Sequence, residues 1–253
     1  MTGVNSLKTL QAVILCGGLG TRLRSVVSDR PKCLAQVGGR PFLELLLDWL
    51  SSFEIREITL CLGHGSEMVI EFLEKRNAKD TTFSFAVEKE PLGTGGALKN
   101  AEYLVHRDPF VVMNGDSILD FRLDRLVKSH QEHQGLATLA LAQGGEPGRY
   151  GNVTMDDSGR ITGFYEKGEG CSQFHDDRSR AFMFSGGVYA FSGEIFTRIP
   201  HAPPPVSLER DVFPRLVNHG LYGVPSHGYF LDIGVPSDYA RAQVELPQRF
   251  PIC

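Results

Sequence analysis

The chain has 253 residues, 42% of them hydrophobic and 22% charged, with a formal net charge of −4. A globular chain of this length buries a core without disulfide or metal staples. Mild acidity argues against non-specific nucleic-acid binding, which needs a basic surface, but an anionic substrate stays open if positive charge is concentrated locally.

Five scattered cysteines without a CxxC spacing fit neither a disulfide framework nor a zinc site. Cys16 and Cys61 fall in apolar runs and read as small core residues. No N-terminal stretch has signal-peptide character, and no run of about 18 apolar residues occurs. The cytoplasm is therefore the expected compartment, with no membrane partner.

In chain order, the run Ala12-Val13-Ile14-Leu15-Cys16 is short, apolar and stopped by glycines, which predicts a buried strand. After a Gly-rich loop, residues 41–53 predict a helix with Pro41 at its first position. Residues 57–63 predict a strand, 66–76 a helix capped by Ser66, and 81–87 a third strand. Residues 95–104 read as helix, 110–116 as a fourth buried strand, 122–134 as an amphipathic helix and 136–142 as a strand. His130 and His133 are assigned to the polar, solvated face of that amphipathic helix. Strands alternating with helices imply βαβ units, a mostly parallel sheet and right-handed crossovers.

The pattern changes near Gln143. Residues 152–167 predict a hairpin with Asp157-Ser158-Gly159 in its turn. Residues 168–180 are polar and read as a loop. Residues 181–191 read as a strand, 207–217 as a helix, 229–234 as a strand end and 236–246 as a closing helix. No internal repeat is present, so no C-terminal β-helix is expected.

The Gly-rich loop carries the chemistry. Walker A needs a Gly-Lys pair, which the chain lacks, and Gly18-Leu19-Gly20-Thr21-Arg22-Leu23 fails the dinucleotide fingerprint at its last glycine. What remains is G-G-x-G-T-R-L followed by Pro31-Lys32. Glycines let backbone N–H groups approach an anion. Thr21 adds a hydroxyl donor, Arg22 forks onto phosphate oxygens, and Lys32 folds back as a point charge. Two cations and a glycine turn on one loop suit a polyphosphate. Asp116 follows a buried strand and opens a loop at the carboxyl end of the sheet, where ligands of parallel sheets bind and where a carboxylate suits Mg²⁺.

With these residues in view, GGLGTRL (17–23) and RPKCLAQVGGRP (30–41) resemble the signature of the sugar-phosphate nucleotidyltransferases. Further blocks recur in order: EPLGTGGAL (90–98) resembles the family's base-binding loop, and NGD (114–116) its metal-binding strand end. Glu166-Lys167 resembles its sugar-phosphate site, and FLDIGVPSDY (230–239) the block with a second metal ligand. The resemblance covers nearly the whole chain. It implies an α/β, Rossmann-like three-layer sandwich with a mostly parallel mixed sheet, of the nucleotide-diphospho-sugar transferase type. The expected organisation is a single domain, 1–253, with a nucleotide-binding half (1–142) and a sugar-phosphate-binding half (143–253).

The implied reaction joins a nucleoside triphosphate to a sugar 1-phosphate and releases pyrophosphate. The nucleophile is a phosphate oxygen ionised near neutrality, with a second pKa of about 6. No general base is required, and the task is neutralisation and positioning. The resemblance assigns catalysis to Arg22, Lys32 and Asp116, and Mg²⁺ to Asp116 and Asp232. Nucleotide binding falls to Leu15, Gly17, Gly18, Gly20, Thr21, Arg22, Glu88, Gly93 and Thr94. Sugar-phosphate binding falls to Asn114, Tyr150, Gly151, Glu166, Lys167, Ser185 and Gly187.

Two departures bear on the sugar pocket. Ser185-Gly186-Gly187 stands where the family often has Asn-x-Gly, and Val235-Pro236-Ser237 where it often has Thr-Pro-Glu. The stretch SLERDVFP (207–214) resembles a family helix beside the sugar site, a surface amphipathic helix being the alternative. Within the family the blocks are most similar to guanylyltransferases acting on heptose 1-phosphates, which implies GTP as donor. Mannose 1-phosphate guanylyltransfer and uridylyl, cytidylyl or thymidylyl transfer to other sugars stay open, as does a non-catalytic nucleotide-sugar sensor. A homo-oligomer also stays open.

Overall fold

A computed structural model describes residues 7–76, 80–144, 150–165 and 182–250. Its centre is a seven-stranded sheet. The first strand, β1 (Gln11–Cys16), is followed by a small ribbon of β2 (Gln36–Val37) and β3 (Arg40–Pro41), then by α1 (Phe42–Ser52). Next come β4 (Glu57–Leu62), α2 (Ser66–Lys75), β5 (Thr82–Val87), α3 (Gly93–Asn100), β6 (Phe110–Asn114), β7 (Ser117–Leu119), α4 (Leu123–His133) and β8 (Ala137–Gln143). The hairpin is β9 (Asn152–Met155) and β10 (Ile161–Tyr165). The chain continues through β11 (Met183–Phe191), α5 (Ile195–Arg198), a π-helical turn (Leu208–Val212), α6 (Phe213–Leu216), β12 (Leu221–Ser226), β13 (Phe230–Asp232) and α7 (Pro236–Arg249).

The order across the sheet is β12-β8-β11-β6-β1-β4-β5. Every adjacent pair is parallel except the two that β11 makes, with β6 and with β8. The sheet is thus mixed and mostly parallel, and helices cover both faces. Strand side chains alternate between two cores, as a pleated strand buried on both faces requires. Ala12, Ile14, Val111 and Met113 pack with α1, α2, α4 and α7. Val13, Phe110, Val112 and Leu139 pack with α3, α5 and α6. The result is a Rossmann-like three-layer sandwich. No helix among the described residues is long and apolar enough to cross a membrane.

Several local readings are corrected. Pro41 is the residue before α1 and belongs to the β2–β3 ribbon. Ser66 is the first residue of α2, and its cap position is Gly65 at φ +74. A Cβ on Gly65 would stand 2.7 Å from the Pro31 ring, so glycine lets the α2 turn close onto the Pro31-Lys32 segment. His130 is 4% exposed and hydrogen-bonds the Thr138 hydroxyl; it lies on the face of Leu123, Leu126 and Val127, not in solvent. Burial pushes its imidazole down to about 4. His133 stacks on Tyr222 and reaches the Ser158 carbonyl at 3.0 Å. The helix at 207–217 is a π-turn running into α6, with Leu208, Val212 and Phe213 fully buried, so it packs inward.

Candidate active site

The carboxyl ends of β1, β4, β5 and β6 open on one edge of the sheet. Leu15, at the end of β1, is in register with Cys61 on β4 and Asn114 on β6. The Gly115 N–H donates to the Leu15 carbonyl at 2.9 Å. A Cβ on Gly115 would be 2.5 Å from the Cys16 sulfur, so glycine there lets the Asn114–Asp116 corner press against the start of the Gly-rich loop. Gly20 turns that loop at φ +59, with the Lys32 Cβ 3.4 Å from where its own would stand. Gly18 is different. It needs no positive φ, and a Cβ on it would meet nothing within 4 Å among the described residues, whose packing does not explain it. Thr21 and Arg22 are exposed at the same mouth.

Two carboxylates meet across the mouth. β7 and β13 pair antiparallel with Asp232 opposite Ser117, and the Ile233 N–H donates to the Asp116 carbonyl at 2.9 Å. This ribbon carries Asp116 and Asp232 side by side from positions 116 residues apart. Lys32 lies between them. Its ammonium donates to Asp116 Oδ2 at 2.6 Å and stands 3.6 Å from Asp232 Oδ1, and its side chain is 12% exposed. The Gly234 N–H donates to Asp232 at 2.6 Å. Burial, and secondly the Asp116 charge, push the Asp232 carboxyl above its usual range, against the pull of Lys32, the Gly234 N–H and Arg22. Among the described residues no third carboxylate, histidine or cysteine joins them. Two hard oxygen donors fit Mg²⁺, which completes its shell with water and substrate phosphates.

Glu88 occupies the neighbouring end of β5. Its carboxylate lies against Gly17 and Gly63, where a Cβ on either would come within 2.8 Å of Oε1, and Oε2 accepts from the Leu92 N–H at 3.3 Å. Burial raises its carboxyl. It borders a cavity of about 500 Å³ that also touches Gly17, His64 and Val87. Gly93 (φ +77) and Thr94 begin α3. A Cβ on Gly93 would be 2.4 Å from the Val206 carbonyl, and the Gly95 and Gly96 N–H groups donate to that same carbonyl. The Thr94 hydroxyl donates to Glu209 at 2.9 Å and accepts from the Leu208 N–H at 2.8 Å. In this structure, then, these α3 groups are engaged by the segment 206–209.

On the other side of the mouth, the β8–β11 register slips between Ser185 and Tyr189, and Gly187 in the slip has φ +74. A Cβ on Gly187 would be 2.6 Å from the Ser117 hydroxyl and 3.0 Å from the Asn114 amide nitrogen. Asn114 Oδ1 and Ser117 Oγ are buried without a partner among the described residues, two polar atoms in one small space. Tyr150 stacks on Phe184 with ring centroids 4.4 Å apart and meets Phe230 edge-on, so its ring sits in an aromatic group beside β13; Gly151 adjoins it. Glu166 and Lys167 lie outside the described residues. Ser117, Tyr189 and Glu209 join this corner unpredicted; only the proximity of 117 to Asp116 and the inward face of the 207–217 helix could have signalled them.

A family model described as nucleotidyl transferase matches residues 11–249. The chain is 36% identical over 238 residues to a D-glycero-alpha-D-manno-heptose 1-phosphate guanylyltransferase of Aneurinibacillus thermoaerophilus, covering 94% of this chain and 98% of that one. It is 34% identical over 241 residues to a mannose-1-phosphate guanyltransferase of Kluyveromyces lactis, spanning 93% of this chain and 64% of that longer relative. Among solved structures, HddC from Yersinia pseudotuberculosis complexed with GMP-PN superposes with a TM-score of 0.77 at 30% identity, covering 94% of this chain and all of that one.

Proposed function

The chain belongs to the nucleotidyl transferase family, and on that premise we propose that it transfers guanylyl from GTP to a heptose 1-phosphate. The acceptor named by its relative is D-glycero-α-D-manno-heptose 1-phosphate. A phosphate oxygen of the sugar attacks the α-phosphorus of GTP. A new P–O bond forms, the bond to the bridging oxygen breaks, and pyrophosphate leaves. The sugar phosphate is ionised at neutral pH, so no side chain has to take a proton.

The single observation that carries this reading is the Lys32 ammonium set between Asp116 and Asp232 beside the Gly-rich loop. Two carboxylates and a lysine in contact suit a reaction in which a metal ion and a lysine share a polyanion. Asp116 and Asp232 would hold Mg²⁺, which supplies charge neutralisation when bound. Lys32 would then be free to face the α-phosphate, and Arg22 the β- and γ-phosphates. The N–H groups around Gly18 would lie along the triphosphate, which explains a glycine that packing does not require. Asn114, Ser117 and the Ser185–Gly187 slip would meet the sugar, with Tyr150 and Gly151 on its other side, and Glu166 and Lys167 would bind the sugar and its phosphate.

Glu88 bears on the base. The edge of guanine offers two adjacent donors, N1–H and the 2-amino group, which match the two oxygens of one carboxylate. Uracil and thymine offer one N–H between two carbonyls, which a carboxylate repels. The relative solved with GMP-PN supports the same choice. Nucleoside triphosphates are substrates of the cytoplasm, which is where we place the enzyme.

A panel of five nucleoside triphosphates against several sugar 1-phosphates, read by pyrophosphate release with Mg²⁺, tests this. The expected outcome is highest kcat/KM for GTP with the heptose phosphate. Highest activity with mannose 1-phosphate would move the chain toward the reading that its similarity to the Kluyveromyces lactis protein favours. Pyrophosphate from no pair would reject nucleotidyl transfer.

A further inference from the structure

Glu209 is not among the residues given a role above, yet it touches both sides of the proposed site. Ser207 accepts from the Glu209 and Arg210 N–H groups, and Asp211 accepts from the Ser207 N–H at 2.7 Å, so the turn that carries Glu209 is pinned at its start. The widened π-turn then aims the carboxylate inward, and π-turns recur at functional sites. Glu209 Oε2 accepts from the hydroxyls of Thr94 and Ser207, each at 2.9 Å, and Oε1 accepts from the Tyr189 hydroxyl at 3.2 Å.

Tyr189 extends the connection. Its ring is fully buried, and burial, reinforced by the Glu209 charge, holds its hydroxyl protonated. That hydroxyl donates to Glu209 and accepts from Ser185 Oγ at 3.1 Å. Gly187 N–H in turn donates to Ser185 Oγ at 3.4 Å. A continuous chain of hydrogen bonds thus runs from the first turn of α3, through Thr94, Glu209 and Tyr189, to Ser185 and the Gly187 N–H.

We propose that Glu209 is a positioning residue that holds the nucleotide-binding and sugar-phosphate-binding sides of the site in register through its hydrogen bonds to Thr94 and Tyr189. The inference rests on the nucleotidyl-transfer reading above. Its logic is that of a buried network: each member fixes the next, and removing the shared acceptor leaves hydroxyls on both sides without their partner. Both Glu209 carboxylate oxygens accept from hydroxyls of the chain, so it acts through those groups. Its effect is to keep α3 and the Ser185–Gly187 slip at a fixed spacing, and a small misplacement far from the chemistry is costly in a reaction that depends on alignment.

The test is steady-state kinetics on the full chain with GTP and the heptose phosphate, for Glu209→Ala, Glu209→Gln, Thr94→Val and Tyr189→Phe, with GTP binding measured by calorimetry alongside. Glu209→Ala is expected to raise KM for both substrates roughly tenfold, the usual consequence of orphaning a buried hydrogen-bond partner. Thr94→Val should raise KM for GTP, and Tyr189→Phe KM for the sugar phosphate, each leaving the other within about twofold. Glu209→Gln should recover most of the loss, since an amide still accepts from one hydroxyl and the other can turn to accept from it. A merely structural role would lower the melting temperature and the active fraction without moving either KM. Wild-type-like KM values for both substrates in folded Glu209→Ala would overturn the proposal. If that variant does not fold, a Tyr189→Phe enzyme with an unchanged KM for the sugar phosphate would overturn it. A wild-type chain that binds GTP but releases no pyrophosphate would count against the reaction, whereas unchanged GTP binding in Thr94→Val would count against the relay alone.

Discussion

Two cavities of about 460 Å³ each hold arginine and aspartate, and only one adjoins the proposed site. The first lies under the Gly-rich loop, between Gly20, Arg30, Lys32 and Gly65. The second lies on the far side of α1, between Arg40, Asp48, Trp49, Phe121 and Phe250. Around the second, arginines and carboxylates pair with one another. Arg40 pairs with Glu44 and Asp48, Arg76 reaches Asp48 at 2.7 Å, and Arg122 forks onto Asp124. The Asp48 hydrogen bond raises the Arg40 pKa, which means that its ion is stabilised. At the mouth beside the first cavity the sign reverses. The Asp232 carboxyl is pushed up, so its ion is disfavoured, even with Lys32 near it. A hollow with charges in it is common. Two carboxylates with one lysine between them, the Asp232 ion disfavoured by burial, are the pair we propose for a cation and a polyanion.

That contrast can be broken by mutation, and the largest effect belongs to Lys32. Lys32→Ala should lower kcat by about 100- to 1,000-fold, the range for losing one preorganised charge donor, with the circular dichroism spectrum unchanged. A kcat within threefold of wild type would remove Lys32 from the chemistry. Next comes Glu88→Gln. The amide cannot accept from both guanine donors, so kcat/KM for GTP should fall about 10- to 100-fold while that for UTP falls far less. Equal losses for both nucleotides would take base selection away from Glu88.

The third prediction concerns stability. Because the folded-state pKa of Asp232 lies above its unfolded value, the folded chain holds that proton where the unfolded chain has released it. Stability from this group is therefore present at low pH and lost as pH rises through the folded pKa. Asp232→Asn should then raise the urea midpoint of the ligand-free protein at pH 7, and the gain should shrink toward pH 4, while turnover is lost. A variant less stable than wild type at pH 7 would contradict the sign. The smallest effect is expected in the self-paired cavity. Asp48→Asn should change stability by no more than about 1 kcal/mol, as for other half-exposed ion pairs, and leave kcat and both KM values alone. A kinetic defect there would erase the distinction between the two cavities.

The parts legible in the sequence are those where local pattern and tertiary role coincide. Ala12–Leu15 and Phe110–Met113 are runs with no polar residue because they are covered on both faces, and periodicity finds them. β12 was not legible, since Leu221–Ser226 contains Gly223 and Pro225. It is an edge strand, where proline is tolerated. Gly223 is needed because a Cβ there would be 2.5 Å from the Leu141 side chain. His130 was misread because it is polar, yet its spacing of seven, four and three residues from Leu123, Leu126 and Val127 marks the buried face of α4.

In the proposed site, the Gly-rich loop points to phosphate from its own residues, and Asp116 to a site role from its place after a buried strand. Nothing local reveals that Lys32 bridges Asp116 to Asp232, because β7 and β13 are three-residue strands that only tertiary pairing creates. The same holds for the Thr94–Glu209–Tyr189 connection, whose members lie far apart in the chain.

The most direct measurement is a calorimetric titration of GTP into the wild-type chain and into Asp116→Asn, each with and without Mg²⁺ and with no acceptor present. If a divalent ion between Asp116 and Asp232 joins Lys32 in neutralising the triphosphate, Mg²⁺ should tighten GTP binding at least tenfold in the wild type, about 1.4 kcal/mol, and by much less in Asp116→Asn. Affinities that do not respond to Mg²⁺ in the wild type, or respond equally in both proteins, would contradict it.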